Sequence, residues 1–186
     1  MLILKSASPR RKEILSSLGL FFEVIPESVD ESLVQAEKPL EYLKRITLLK
    51  LGKIPPNSIL ISCDTIVVKA NKLYPKPESK EQAVQFISEL LGDSHSVYTG
   101  IAIASTDFIH FAYDETKVFF KDWSVSEIHD YVMKMNPMDK AGAYGIQDRI
   151  TPVQKFQGSY SNVVGFPLQI FFQYHYLWSK YLKNYS

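Results

Sequence analysis

Apolar positions along this chain change their period several times, and each change marks an element. Leu2-Ile3-Leu4 is a short unbroken apolar run, the pattern of a buried strand. Ser8-Pro9 then supplies a capping residue and a proline at the first helical position. Ile14, Leu15 and Leu18 recur at helical spacing before Gly19, so the pattern predicts a helix over residues 11–19. "FFEVIP" reads as a strand closed by proline. From residue 39 to about residue 53, Leu40, Leu43, Ile46 and Leu51 favour a helix that "IPPNS" ends. "SILISCDTIVV" is apolar on both alternating faces, which predicts a central strand buried on two sides. "KANK" is a turn out of it.

Residues 78–91 place Ala83, Phe86, Ile87, Leu90 and Leu91 on one helical face ahead of Gly92. "SVYTGIAIAS" and "FIHFAYDETKVFF" read as paired antiparallel strands around the polar "STD". Ser124 and Glu127 form a capping-box pattern before a helix to about Met135. After Pro137 come the glycine-rich "KAGAYGIQ", a poorly defined stretch, and "LQIFFQYHYLWSKYL" as a terminal helix. Alternating strands and helices with an antiparallel pair inserted predict an α/β fold, a mixed sheet flanked by helices. The chain shows no repeat or low-complexity linker and is expected to be a single domain over residues 1–186, with two lobes.

Composition narrows the function classes. Of 186 residues, 46% are hydrophobic and 22% charged, with a formal net charge of +1 spread along the chain. Such a balance provides no field for a nucleic-acid backbone, so any basic site is local. The one cysteine, Cys63, excludes an intramolecular disulfide and a cysteine-based zinc site. It suits a reducing compartment, and the cytoplasm is expected. No run approaches the roughly 18 apolar residues of a membrane span, and the start of the chain is the reverse of a secretory signal. A soluble, unprocessed protein without membrane or nucleic-acid partners is expected. Phosphate loops of the G-x-x-x-x-G-K-[ST] kind, G-x-G-x-x-G after a strand and G-x-S-x-G elbows are all absent.

Several segments carry candidate chemistry. Arg10, Arg11 and Lys12 put cations in a first helical turn, against the macrodipole, unless an anion sits there with the free N–H groups. A solvated helix face is the other reading. Asp64 lies in an apolar strand, where a carboxylate must be paired, hydrogen-bonded or metal-bound. It is a candidate metal ligand or general base, or else a turn aspartate beside Thr65. Lys76, between two prolines in "YPKPES", is either a positioned cation or part of a surface turn. "DKAGAYGIQD" either presents Gln147 to a base edge or is a plain connection. Glu31 and Lys50 look solvated by local context. His95 suits a structural role, the terminal aromatics Phe171, Phe172, Tyr174 and Trp178 suit packing, and so do Met133 and Met135.

In order and spacing, "SASPRRKEIL", "VDES", "CDTIVV", Lys76-Pro77, "HSVYTG", "DKAGAYGIQ" and "GSYSNVVGFP" resemble the Maf family, known as septum-formation proteins and as nucleoside triphosphate pyrophosphatases. The resemblance covers nearly the whole chain. It implies a Maf/ITPase-like fold with a cleft between two lobes, often a homodimer, and hydrolysis of a nucleoside triphosphate between its α and β phosphates with Mg²⁺ or Mn²⁺. It assigns Asp64 as proton acceptor, Glu31 with Asp64 to the metal, and Lys50 and Lys76 to basic positions around the substrate, with Lys76 beside Asp64 as a catalytic residue. Arg11, Thr65 and Gln147 match the branch acting on dTTP and UTP, and Ser8 and Arg10 join the expected substrate contacts. The branch with "SPWR" and 7-methyl-GTP matches less well. Lys5, Ser62-Cys63 and Phe166 depart from the family pattern, and Lys5 either adds to a phosphate site or points to solvent. Two rival expectations are a nucleotide-binding regulator of septation with little turnover and an ITP-type purine triphosphate pyrophosphatase. Two carboxylates beside a highly negative ligand favour turnover, because a binder has less need of them unless a metal bridges them.

Overall fold

The computed structural model describes residues 1–183. Their order is β1 (Leu2–Leu4), α1 (Pro9–Ser17), β2 (Glu23–Val24), α2 (Pro39–Leu49), β3 (Ile59–Lys69), β4 (Lys72–Tyr74), α3 (Lys80–Leu90), β5 (His95–Ala104), β6 (Ile109–Phe120), α4 (Val125–Met135), β7 (Val153–Gln157), α5 (Tyr160–Val164), α6 (Leu168–Gln173) and α7 (His175–Trp178). The strands form a mixed seven-stranded sheet in the order β2-β1-β3-β5-β6-β7, with β4 paired to β3. β1 runs parallel to both β2 and β3, whereas β4 and β7 pair antiparallel with their partners. A turn closed by Ser105 N–H to Phe108 O at 2.9 Å joins β5 to β6, a connection short enough only for a hairpin.

The chain divides into two compact units, the first comprising Met1–Asp64, Thr99–Asp114 and Gly165–Ser186, the second Thr65–Tyr98 and Glu115–Val164. In the first unit β1 is buried on both faces. Leu2 and Leu4 join Ile61, Cys63, Ile101, Phe166, Phe171 and Trp178, while Ile3 joins Leu60, Leu51 and Ala102 on the other side. This double burial explains the unbroken apolar runs, and each such side chain contributes roughly 1.5–3 kcal/mol. At Gly100 the strand passes so close to α2 that a Cβ would lie 2.7 Å from Thr47 Oγ1.

In the second unit, Ala83, Phe86, Ile87 and Leu90 pack in one core with Ile128, Tyr131, Val132, Val97 and Val118. Both helices are capped, α4 as its sequence predicts. Ser79 accepts from Gln82 N–H at 3.1 Å, and Ser124 and Glu127 form a reciprocal capping box. Lys69 Nζ donates to Glu89 O and Leu91 O at 2.8 and 2.9 Å, closing the far end of α3. Asn162, buried in α5, donates through Nδ2 to Val97 O at 3.0 Å and Thr116 Oγ1 at 2.9 Å.

Four local expectations change. The strand expected in "FFEVIP" is two exposed residues at the sheet edge. The terminal helix is interrupted at Tyr174, where Trp178 Nε1 donates to Phe171 O at 3.0 Å and its ring stacks on Phe171 at 4.4 Å. That indole takes a carbonyl the continuing helix would use. The poorly defined stretch holds β7 and α5, and β7 escaped notice because four of its five side chains are exposed. Met133 is 62% exposed rather than packed.

Candidate active site

In the first unit Asp64 is nearly buried on β3, where an unpaired carboxylate is costly. Lys50, the residue that ends α2, resolves this by reaching Asp64 Oδ1 at 2.6 Å and Glu31 Oε1 at 2.7 Å. Lys50 is only 12% exposed, Asp64 11% and Glu31 43% as side chains. Lys50 is therefore not the solvated residue its local context suggests, and Glu31, although exposed, is paired with it; with Asp64 they make one ionic cluster.

The loop bearing Glu31 has no regular structure, and α2 holds it. Tyr42 O–H donates to Glu31 O at 3.1 Å, Arg45 Nη2 donates to Ser32 O at 2.9 Å, and Asp30 Oδ1 accepts from Ser32 N–H at 2.9 Å. Arg45 also pairs with Glu37 at 2.6 Å. Burial, then the charges of Asp64 and Glu31, pushes the Tyr42 phenol upward, so it stays protonated. Tyr42 and Arg45 were missed from the sequence. Their signal was the polar face of α2 opposite Leu43 and Ile46.

Ser8 occupies the N-cap position of α1, yet its side chain makes no cap bond. Its N–H instead donates to Ser6 Oγ at 3.3 Å. Arg10 is half-buried and Lys12 exposed, but Arg11 is buried. Its Nε donates to Gly165 O at 2.8 Å, and Nη1 donates to Cys63 O at 2.8 Å and Ser6 Oγ at 3.0 Å. Arg11 thus belongs neither to a solvated face nor to a guanidinium aimed wholly outward. It secures the carbonyl immediately before Asp64, and oxygen dipoles offset the cost of a cation in the first turn. Lys5 takes neither expected course. It is buried and paired with Glu27 at 2.8 Å. Burial pushes the Cys63 thiol up to about 12, which makes it unreactive.

Thr65, Lys76 and Gln147 belong to the second unit. Thr65 follows Asp64 on β3 and is half-buried, while Lys76 and Gln147 are exposed. Pro75 O accepts from Gly142 N–H at 3.2 Å, which ties the proline-flanked segment of Lys76 to the glycine-rich turn. His95 is buried, with Nε2 2.8 Å from Tyr144 Oη and, among the described residues, no hydrogen-bond partner on Nδ1. Burial first, then the charge of Lys69, pushes its pKa down to about 3. A histidine held neutral in this way is structural, as expected.

The donor set bears on metals. Among the described residues no group of three or more His, Cys, Asp or Glu side chains is placed to hold an ion. Glu31 and Asp64 nevertheless direct two carboxylate oxygens at one point, the Lys50 nitrogen. Two hard oxygens, completed by phosphate oxygens and water, suit Mg²⁺ or Mn²⁺. No helix among the described residues is long and apolar enough to cross a membrane.

Comparison with known proteins adds a family. Residues 1–175 match the family described as Maf-like protein. A protein of Leptospira interrogans named dTTP/UTP pyrophosphatase is 51% identical over 99% of this chain and 98% of its own length. One from Leptospira borgpetersenii with the same name is 49% identical over 99% of this chain and all of its own length. A third, from a Geobacillus strain, is 39% identical over 90% of this chain and 92% of its own. Among solved structures, the Staphylococcus aureus Ham1 protein overlays 65% of this chain and 72% of its own at a TM-score of 0.44 and 11% identity.

Proposed function

The chain belongs to the Maf-like protein family, and from that premise we infer that it is a nucleoside triphosphate pyrophosphatase acting on dTTP and UTP. The observation that carries the reading is the cluster of Lys50, Asp64 and Glu31. A triphosphate needs charge neutralisation and positioning, and its hydrolysis needs a base for water. Asp64 accepts a proton from water as the oxygen attacks the α phosphorus. The bond from that phosphorus to the bridging oxygen breaks, and the monophosphate and pyrophosphate leave. Glu31 and Asp64 would hold Mg²⁺ or Mn²⁺, which would supply Lewis-acid neutralisation of phosphate charge. Lys50, Lys76 and Arg10 neutralise the phosphates, Ser8 contributes its hydroxyl at the start of α1, and Arg11 contributes positive potential while holding the Cys63 carbonyl. Thr65 and Gln147 read the pyrimidine.

Family membership and the free, buried Cys63 support a cytoplasmic homodimer without nucleic-acid partners. The decisive experiment is pyrophosphate release from dTTP, UTP, CTP, ITP, 7-methyl-GTP and ATP with Mg²⁺ or Mn²⁺, wild type beside Asp64→Asn. Turnover of dTTP and UTP that the substitution abolishes is expected. A folded protein that binds these nucleotides and releases no pyrophosphate would overturn the reading in favour of a regulator, and preference for ITP would overturn the pyrimidine assignment.

A further inference from the structure

The turn that carries Gln147 is built in an unusual way. Gly145 N–H donates to the phenolic oxygen of Tyr131 at 3.0 Å, and the Tyr131 O–H donates onward to Asp148 Oδ2 at 2.5 Å. One phenol on α4 therefore holds both ends of the turn. Across the turn, Asp148 N–H donates to Gly145 O at 3.3 Å. The same carbonyl accepts from Thr151 Oγ1 at 2.8 Å. The Asp148 carboxylate lies so close to Gly145 that a Cβ there would be 2.6 Å from Oδ1. Tyr131 is fully buried and the Asp148 side chain is 11% exposed, with Lys140 Nζ 3.8 Å from Oδ1. Gln147, between the clamped residues, is exposed.

The core of the second unit uses the Tyr131 ring, which phenylalanine would supply equally well, and a buried hydroxyl is costly unless its bonds are made. Burial, then the hydrogen bond to Asp148, pushes the phenol well above its ordinary range, so the proton stays on the oxygen that bridges to the carboxylate. The result is an exposed glutamine whose backbone is fixed on both sides.

We propose that Tyr131 and Asp148 are positioning residues for base selection, setting the reach at which Gln147 meets the nucleobase. This inference rests on the reading of Gln147 as the base-reading residue. A turn pinned at both ends presents the amide at one distance, which suits a single-ring base. A turn free to recede admits the larger purine. A side chain is placed by its supporting bonds, and small displacements of a specificity group change the ratio between competing substrates.

The experiment compares kcat/KM for UTP and ATP in the full-length enzyme, with Gln147→Ala as reference. Tyr131→Phe and Asp148→Ala should each lower the UTP:ATP ratio about tenfold. Asp148→Asn, whose amide oxygen still accepts from Tyr131, should keep the wild-type ratio. In a Gln147→Ala background, Tyr131→Phe should produce no further change in ratio. Thermal melting establishes which variants fold, and Asp148→Ala, at the less buried position, carries the test if Tyr131→Phe does not. If Gln147→Ala lowers the ratio while both clamp variants leave it unchanged, the positioning role is wrong and the base-reading role stands. An equal effect of Tyr131→Phe with and without Gln147 would also overturn the proposal, as a general structural defect. If Gln147→Ala leaves the ratio unaltered, base reading and positioning fall together.

Discussion

One cluster in the first unit gathers charge where something outside the protein can reach it, whereas a cluster in the second unit buries polar groups that carry none. Lys50, Asp64 and Glu31 form an ionic cluster in which Glu31 is 43% exposed. Asn162 and Thr116, by contrast, are fully buried, and the amide nitrogen of Asn162 is shared between Val97 O and Thr116 Oγ1. Charges are expensive to dehydrate and inexpensive to redirect toward a new partner, while neutral polar groups bury at lower cost and then specify a single packing. The difference separates a place that awaits a ligand from a place that fixes the fold.

The comparison breaks if the two clusters respond alike to deletion. Asp64→Asn should lower UTP turnover about a thousandfold, as loss of a general base does, and leave the melting temperature close to wild type. Pyrophosphate release and calorimetry on the same sample check both halves. Next in size, Asn162→Ala should cost about 2 kcal/mol of stability in urea titration, because it removes two buried hydrogen bonds, to Val97 O and to a Thr116 hydroxyl that keeps only its bonds with Ser159. Its activity per folded molecule should change far less than that of Asp64→Asn.

A smaller effect sharpens the contrast through pH. His95 is held neutral in the folded state, with its pKa down at about 3, against an ordinary value near 6.5. Between these values the unfolded chain binds the extra proton. The stability His95 contributes is therefore present above about pH 6.5 and lost as pH falls toward 3, by up to about 1.4 kcal/mol per pH unit. Melting curves from pH 7 to 5 should show this slope in wild type and a shallower one in His95→Phe. Smallest of all, Lys134→Ala removes an exposed i,i+4 pair with Asp130 at 2.9 Å and should shift stability by no more than about 0.5 kcal/mol.

The sequence was most informative where one physical cause acts alone. The apolar run of β3 and the capping box of Ser124 and Glu127 predicted their elements because burial and end-capping are local demands. It was least informative where a distant partner decides. Trp178 interrupts the terminal helix through Phe171, and the Val153–Gln157 strand depends on pairing with β6 rather than on its own pattern. The site shows the same division. Asp64 stood out as a carboxylate in an apolar strand, and Arg10 and Arg11 as cations at a helix start. Glu31 and Lys50 were invisible locally and were suggested only by resemblance, because what makes them special is the shared contact with Asp64. Tyr131 and Asp148 gave no sign at all, since neither residue type at its position departs from ordinary helix and turn chemistry.

The way the units are threaded has a consequence for synthesis. Leu2 and Leu4 share a core with Phe166, Phe171 and Trp178, while the second unit is assembled entirely from residues 65–98 and 115–164. On a ribosome the second unit is complete in sequence before the first has its last segment. Leu2 and Leu4 of β1 can meet Ile61 and Ile101 early, but part of their apolar surface stays uncovered until Phe166, Phe171 and Trp178 have been translated.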